Sequence, residues 1–266
     1  MTATAHAVLI DIGGLPIVVK TDSSAFAALL EERYGSFVSP AGNPVFELDV
    51  ELIPSRTIDE DVDLAVTLES GRWVAERGDF HSEWDLENRR GWVRQSPNPY
   101  SIDGVLRILH SLLLAREGGF LMHAASAVRH GRAFLFAGVS GAGKTTIASL
   151  APPDATVLTD EISYLRRSPM GYQAFGTPFA GELARIGANL RAPLSAVYLL
   201  VQGTENRTEP VSAADAARAL LRHILFFAHD ATLVEMVFSA VFEFAAQVPV
   251  ERLVFTPDAR VWESIG

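Results

Sequence analysis

The sequence predicts an α/β chain in which a smaller α+β N-terminal part, residues 1–100, precedes a phosphate-binding-loop (P-loop) domain, residues 101–266. Three observations carry this reading. Short strand-like stretches broken by Gly, Pro and charge dominate residues 44–95. A glycine-rich octapeptide, Gly138-Val139-Ser140-Gly141-Ala142-Gly143-Lys144-Thr145, lies between an apolar run and a helical pattern. Strand and helix patterns then succeed one another to the C-terminus.

The elements follow in order. AVLIDI and PIVV, separated by Gly13-Gly14, read as a hairpin rich in β-branched residues. Asp22 or Ser23 can cap the helix that follows; Phe26, Leu29, Leu30 and Tyr34 recur at helical spacing, and Gly35 suits its left-handed end. VFELDVELI, DLAVTLE and GWVRQ supply strands with turns between them. A second helix from Ser101 carries an apolar stripe of Ile102, Val105, Leu106, Leu109, Leu112 and Leu113, and Gly118-Gly119 ends it. Phe120 to Val128 reads as a strand bearing His123, Gly131 as a turn, and residues 133–137 as a buried strand. Pro152-Pro153 stops a short helix after the octapeptide. A strand from Thr156 to Asp160, a strand at 195–201, helices from Ser212 and Asp230, and a strand at 252–256 complete the chain.

With 266 residues, 48% of them hydrophobic, the chain has enough apolar material for one large core or two unequal ones. Acids outnumber bases 32 to 22, for a formal charge of −10, which argues against a broad nucleic-acid or anionic-membrane surface. Any anion must be gripped locally. The absence of cysteine excludes disulfides and thiolate metal sites. No basic segment leads into a long apolar stretch and no apolar run approaches about 18 residues, so a cytoplasmic protein without membrane or nucleic-acid partners is expected.

The octapeptide fits G-x-x-x-x-G-K-[ST] in full, a match expected by chance in roughly 1% of chains this long, so it is informative on its own. Gly138, Gly141 and Gly143 are expected at positive φ, letting the backbone approach an oxygen-rich ligand. Amides from Ser140, Gly141, Ala142, Gly143, Lys144, Thr145 and Thr146, together with the start of the next helix, would then hold the phosphates of ATP. Lys144 would lay a charge across them and the Thr145 hydroxyl would ligate Mg²⁺. Asp160 and Glu161 end the strand VLT; one acid can serve the metal and another can take the proton of an acceptor hydroxyl. Adjacent strand residues point to opposite faces, which weighs against Glu161 sharing the site. His123 could bond the transferred group or serve as a satisfied core histidine. The other histidines, His223 among them, show no metal-ligand spacing. Arg185 and Arg191 are candidates to reach substrate phosphate, with solvated surface arginines as the plain alternative.

The order of a histidine-bearing strand, GVSGAGKT, VLTDE and GTPFAGELARIGANLRAPLSAVYLL resembles the HPr serine kinase/phosphorylase family, whose catalytic domain is similar to ATP-dependent phosphoenolpyruvate carboxykinases. The resemblance covers roughly 101–266 and extends in texture to related kinases of lasso-peptide precursors. It implies a histidine beside the transferred phosphate at His123, nucleotide and Mg²⁺ held by Lys144 and Thr145, and metal contact and base from Asp160 and Glu161. The pair is Asp-Glu where that family has Asp-Asp, and its glycine-rich signature after the acids is not recognisable. The expected activity is ATP- and Mg²⁺-dependent phosphorylation of a serine on a small protein or peptide, with a homo-oligomer allowed. The alternatives are a small-molecule hydroxyl kinase, a carboxykinase-like transfer, and a nucleotide-binding module without chemistry.

Overall fold

Buried and more exposed positions alternate through the first strands, and that period of two turns one face of each strand inward. A computed structural model describes residues 6–54, 63–179, 181 and 186–265. The chain divides into two units, Met1–Leu113 with Phe226–Val234, and Leu114–Leu225 with Glu235–Gly266.

In the first unit, β1 (His6–Ile12) and β2 (Leu15–Thr21) form the expected hairpin. Ser23 caps α1 (Ser24–Tyr34), its hydroxyl accepting the Phe26 N–H at 3.2 Å. After β3 (Val38–Ser39) come β4 (Phe46–Leu52), β5 (Ala65–Glu69), β6 (Arg72–Arg77), β7 (Phe80–Asp85) and β8 (Arg90–Gln95). One eight-stranded sheet results, in the order β3-β1-β2-β4-β8-β7-β6-β5, parallel at β2–β4 and β4–β8. Val8, Ile10, Ile17, Phe46 and Leu48 fill its core. α2 (Pro99–Arg116) starts two residues before Ser101, whose hydroxyl is buried against Asp79 at 2.8 Å.

The second unit is organised by β9 (Phe120–Arg129). It is followed by β10 (Arg132–Ala137), α3 (Lys144–Ser149), β11 (Ala155–Thr159), β12 (Ile162–Ser168), β13 (Gly171–Phe175) and β14 (Arg191–Gln202). Then come β15 (Arg207–Pro210), α4 (Ala213–Leu221), β16 (Ile224–Leu225), α5 (Ala231–Gln247) and β17 (Val250–Phe255). β9 pairs antiparallel with β10, β11, β12 and β16. β10, β14 and β17 run parallel, so their C-terminal ends, Ala137, Gln202 and Phe255, gather on one side. That side is where parallel sheets place ligands. The core beneath it holds Phe136 against Tyr198 and Trp262, with ring centroids 5.9 and 5.5 Å apart.

The architecture is thus mixed α/β with two large sheets and few helices. Among the described residues no helix is long and apolar enough to cross a membrane.

Candidate functional site

The chain leaves β10 at Ala137, turns through residues 138–143 and enters α3 at Lys144. Gly141 (φ +78°) and Gly143 (φ +107°) occupy the left-handed region, where a side chain is strained. Gly138 does not, which corrects the expectation of three positive-φ glycines: its requirement is space, since a Cβ there would lie 2.6 Å from the Ala142 Cβ. At Gly143 a Cβ would meet the Phe255 ring at 2.5 Å, so the end of β17 backs the turn directly. The Gln202 amide donates to the Gly141 carbonyl at 2.7 Å and braces it from the end of β14. Lys144, only 8% exposed, folds over its own loop, with Nζ donating to the Gly138 carbonyl at 2.9 Å and to Val139 O at 3.4 Å. α3 has six residues, so backbone amides and Lys144, rather than a long helix dipole, must supply the attraction for an anion.

The acids face this loop because a strand is interrupted. β11 and β12 pair with successive stretches of β9; after a register shift in β11 between Val157 and Thr159, Thr159 stands opposite Ser126 and Ile162 opposite His123. Between them Asp160 and Glu161 leave the ladder, and the Thr159 hydroxyl accepts the N–H groups of Glu161 and Ile162 at 3.2 Å each. Asp160 is 5% exposed and accepts the Gly181 N–H at 3.2 Å. Both carboxylates line the same cavity, so the alternation argument against Glu161 fails here: it applies to pleated strand, and these two residues sit in a bend.

The cavity holds about 450 Å³ and is lined by His123, Ser140, Gly141, Gly143, Lys144, Thr145, Thr146, Asp160, Glu161 and Gly181. Gly138 and Ala142 build the loop without lining it. Arg191 stands exposed at the start of β14, opposite Phe175, and is not among the described lining residues; Arg185 lies outside the described residues. His123 is half-buried, and burial, followed by the nearby Lys144 ammonium, holds its imidazole below the ordinary value of 6.5. Among the described residues no three His, Asp or Glu side chains cluster as a metal cage.

Sequence reasoning missed two contributors: Gly181, which lines the cavity, and Gln202, which braces the loop. The Gln202 signal was its position just past an apolar parallel-strand run, at the end where ligand loops collect. Gly181 lies in the stretch GTPFAGEL, where a lone glycine carries no local mark of a role.

Residues 101–266 match the family model described as SynChlorMet cassette protein ScmC. No curated protein matches the chain. This overturns the resemblance to the HPr serine kinase/phosphorylase family and to lasso-peptide kinases, since no kinase family is found. That reading leaned on the order of a histidine strand, a glycine loop and an acid pair, an arrangement that unlike families can share. The chain belongs to the family of the SynChlorMet cassette protein ScmC.

Proposed function

We propose that this protein is an ATP- and Mg²⁺-dependent phosphotransferase whose second unit carries a P-loop and moves the γ-phosphoryl group to an acceptor hydroxyl. The observation that carries the reading is the convergence of a full G-x-x-x-x-G-K-T turn with Asp160 and Glu161 on one cavity. An anion-binding turn alone would only bind; two carboxylates across from it supply metal contact and base.

The residues fit both groups. Left-handed Gly141 and Gly143 give a turn without Cβ atoms between backbone and ligand. The nearly buried Lys144 donates to the Gly138 and Val139 carbonyls, which phosphate oxygens can replace. The Thr145 hydroxyl and the Asp160 carboxylate would hold Mg²⁺, with nucleotide and water oxygens completing its shell, as this ion prefers to an all-protein cage. When bound, Mg²⁺ would offset charge on the phosphate oxygens.

In the transfer, the acceptor oxygen forms a bond to the γ-phosphorus as the bond from that phosphorus to the β–γ bridging oxygen breaks. The electron pair leaves with ADP, and the hydroxyl proton passes to Asp160 or Glu161. Lys144 and the loop amides offset charge on the moving group, while Gly181 N–H orients the Asp160 carboxylate. A serine on a small protein or peptide is the first acceptor class to test.

Lys144→Ala is expected to lower Mg-ATP turnover by at least about 100-fold, the scale of losing a key electrostatic group. Asp160→Asn should do the same while ATP binding stays measurable by calorimetry. Full activity of both variants with γ-labelled ATP and a serine peptide or small alcohol would remove the assignment.

A further inference from the structure

The ladder on β9 continues past the site in an unexpected direction. β16 pairs Ile224 with Met122 and Leu225 with Leu121. One step further that register sets His223 opposite His123, and the His123 N–H donates to the His223 carbonyl at 2.7 Å. Directly opposed residues of antiparallel strands carry their side chains on the same face. His123 lines the cavity, and this register, carried one residue beyond β16, directs the second imidazole toward the same face of β9.

Lys144 supports the same placement. Burial lowers the proton affinity of the His223 ring first, and the Lys144 ammonium acts next, ahead of His123 and Arg222; His123 responds to burial and then to the same ammonium. Both rings therefore neighbour the charge that a P-loop lysine lays across the β- and γ-phosphates. Neutral imidazoles each offer one N–H donor, suited to an anionic oxygen that a lysine already shares.

We propose that His223, paired with His123 across the ladder, contacts the γ-phosphate and selects nucleoside triphosphate over diphosphate. The inference rests on the nucleotide reading above. It makes the turn that leads into β16, about a hundred residues downstream, a part of the phosphate site.

The test compares calorimetric affinities for Mg-AMPPNP and Mg-ADP in the full chain. His223→Ala is expected to weaken Mg-AMPPNP on the order of tenfold, as for a lost charge-assisted hydrogen bond, and to leave Mg-ADP within about twofold. His223→Gln, which keeps an N–H donor, should recover most of that loss. Equal weakening of both nucleotides, or of neither, overturns the proposal. Should the alanine variant not fold, nitrogen-15 imidazole spectra of the unaltered protein decide: the His223 ring signals should shift with Mg-AMPPNP and hold with Mg-ADP, and signals that shift with both or with neither refute it. Failure of the unaltered protein to bind either nucleotide would instead strike down the phosphotransferase reading, and this inference with it.

Discussion

Two glycine turns, one in each unit, put the same residue type to different ends. Gly13 (φ +65°) and Gly14 (φ +74°) close the β1–β2 hairpin, with Ile12 opposite Leu15, and the chain returns at once along its own ladder. Gly141 and Gly143 take comparable backbone angles, yet the chain runs on into a helix, and a cavity with two carboxylates opens beside it. Left-handed glycine therefore reports a backbone requirement and nothing more. What makes the second turn a candidate site is the lysine that follows it and the acids that a strand break places on the same cavity.

The comparison breaks most sharply at Gly143. Alanine there combines a positive φ of 107° with a Cβ that overlaps the Phe255 ring at 2.5 Å. Strain of about 1–3 kcal/mol is expected, relieved by moving the turn. Mg-ATP affinity should fall more than about tenfold, since a displacement of about 1 Å at such a site is costly. A variant that unfolds about 1–3 kcal/mol more easily yet binds nucleotide normally would show that the turn does not set the site.

How much of this was open to sequence reading follows from how far each signal reaches along the chain. The β1–β2 hairpin, the Ser23 and Ser212 caps and the loop between β10 and α3 are written in neighbouring residues, and local stereochemistry suffices to read them. β12 and β13 are not legible in the sequence, because a stretch such as ISYLRR lacks the sustained alternation or the bounding turn that would mark a strand. For Glu161 the pleat rule argues against a place on the cavity, and the bend it sits in suspends that rule. The place of His223 across from His123 has no local signal: it comes from pairing with a strand a hundred residues earlier, and only the fold provides that register.

The next expected effect sets buried charge in the first unit against that in the second. Asp103 is 4% exposed, accepts the Tyr34 hydroxyl at 2.7 Å and pairs with Arg33. Its opposite charge comes from α1, and neither residue is among those lining the cavity beside the glycine loop. Asp103→Ala should cost about 2–3 kcal/mol by stranding a guanidinium and a phenol. Denaturation followed by tryptophan fluorescence would report it, because Trp73, Trp84 and Trp92 all belong to this unit. Mg-ATP affinity should stay within about twofold. A loss of binding comparable to that of Gly143→Ala would erase the distinction between a structural and a functional buried acid.

Gly14→Ala is expected to be milder, about 1 kcal/mol for holding alanine at positive φ, with nucleotide binding unchanged. Melting of the full chain checks it, and a shift as large as that of Gly143→Ala would mean the hairpin turn bears more than its own closure.

Acid should separate the units by a smaller margin still. Burial, then Lys144, leaves His123 and His223 binding protons more weakly folded than unfolded, where the value is 6.5. Below that value the unfolded chain takes up more protons, so the second unit loses stability as pH falls from 6.5 towards the lowered folded values, and keeps this contribution in full above 6.5. Asp79 in the first unit behaves oppositely: burial would raise its carboxyl, but hydrogen bonds from Arg77 and Ser101 prevail and bring it below 3.8. Its contribution is present above 3.8 and is lost only as pH falls through the lowered value. Hydrogen exchange between about pH 6.5 and about pH 5, corrected for intrinsic rates, should therefore show protection falling along β9 and β16 while β7 and β8 hold. Replacing both histidines with glutamine should abolish that early step; its persistence in the double variant would trace acid sensitivity to other groups and part the two imidazoles from the stability of the phosphate site.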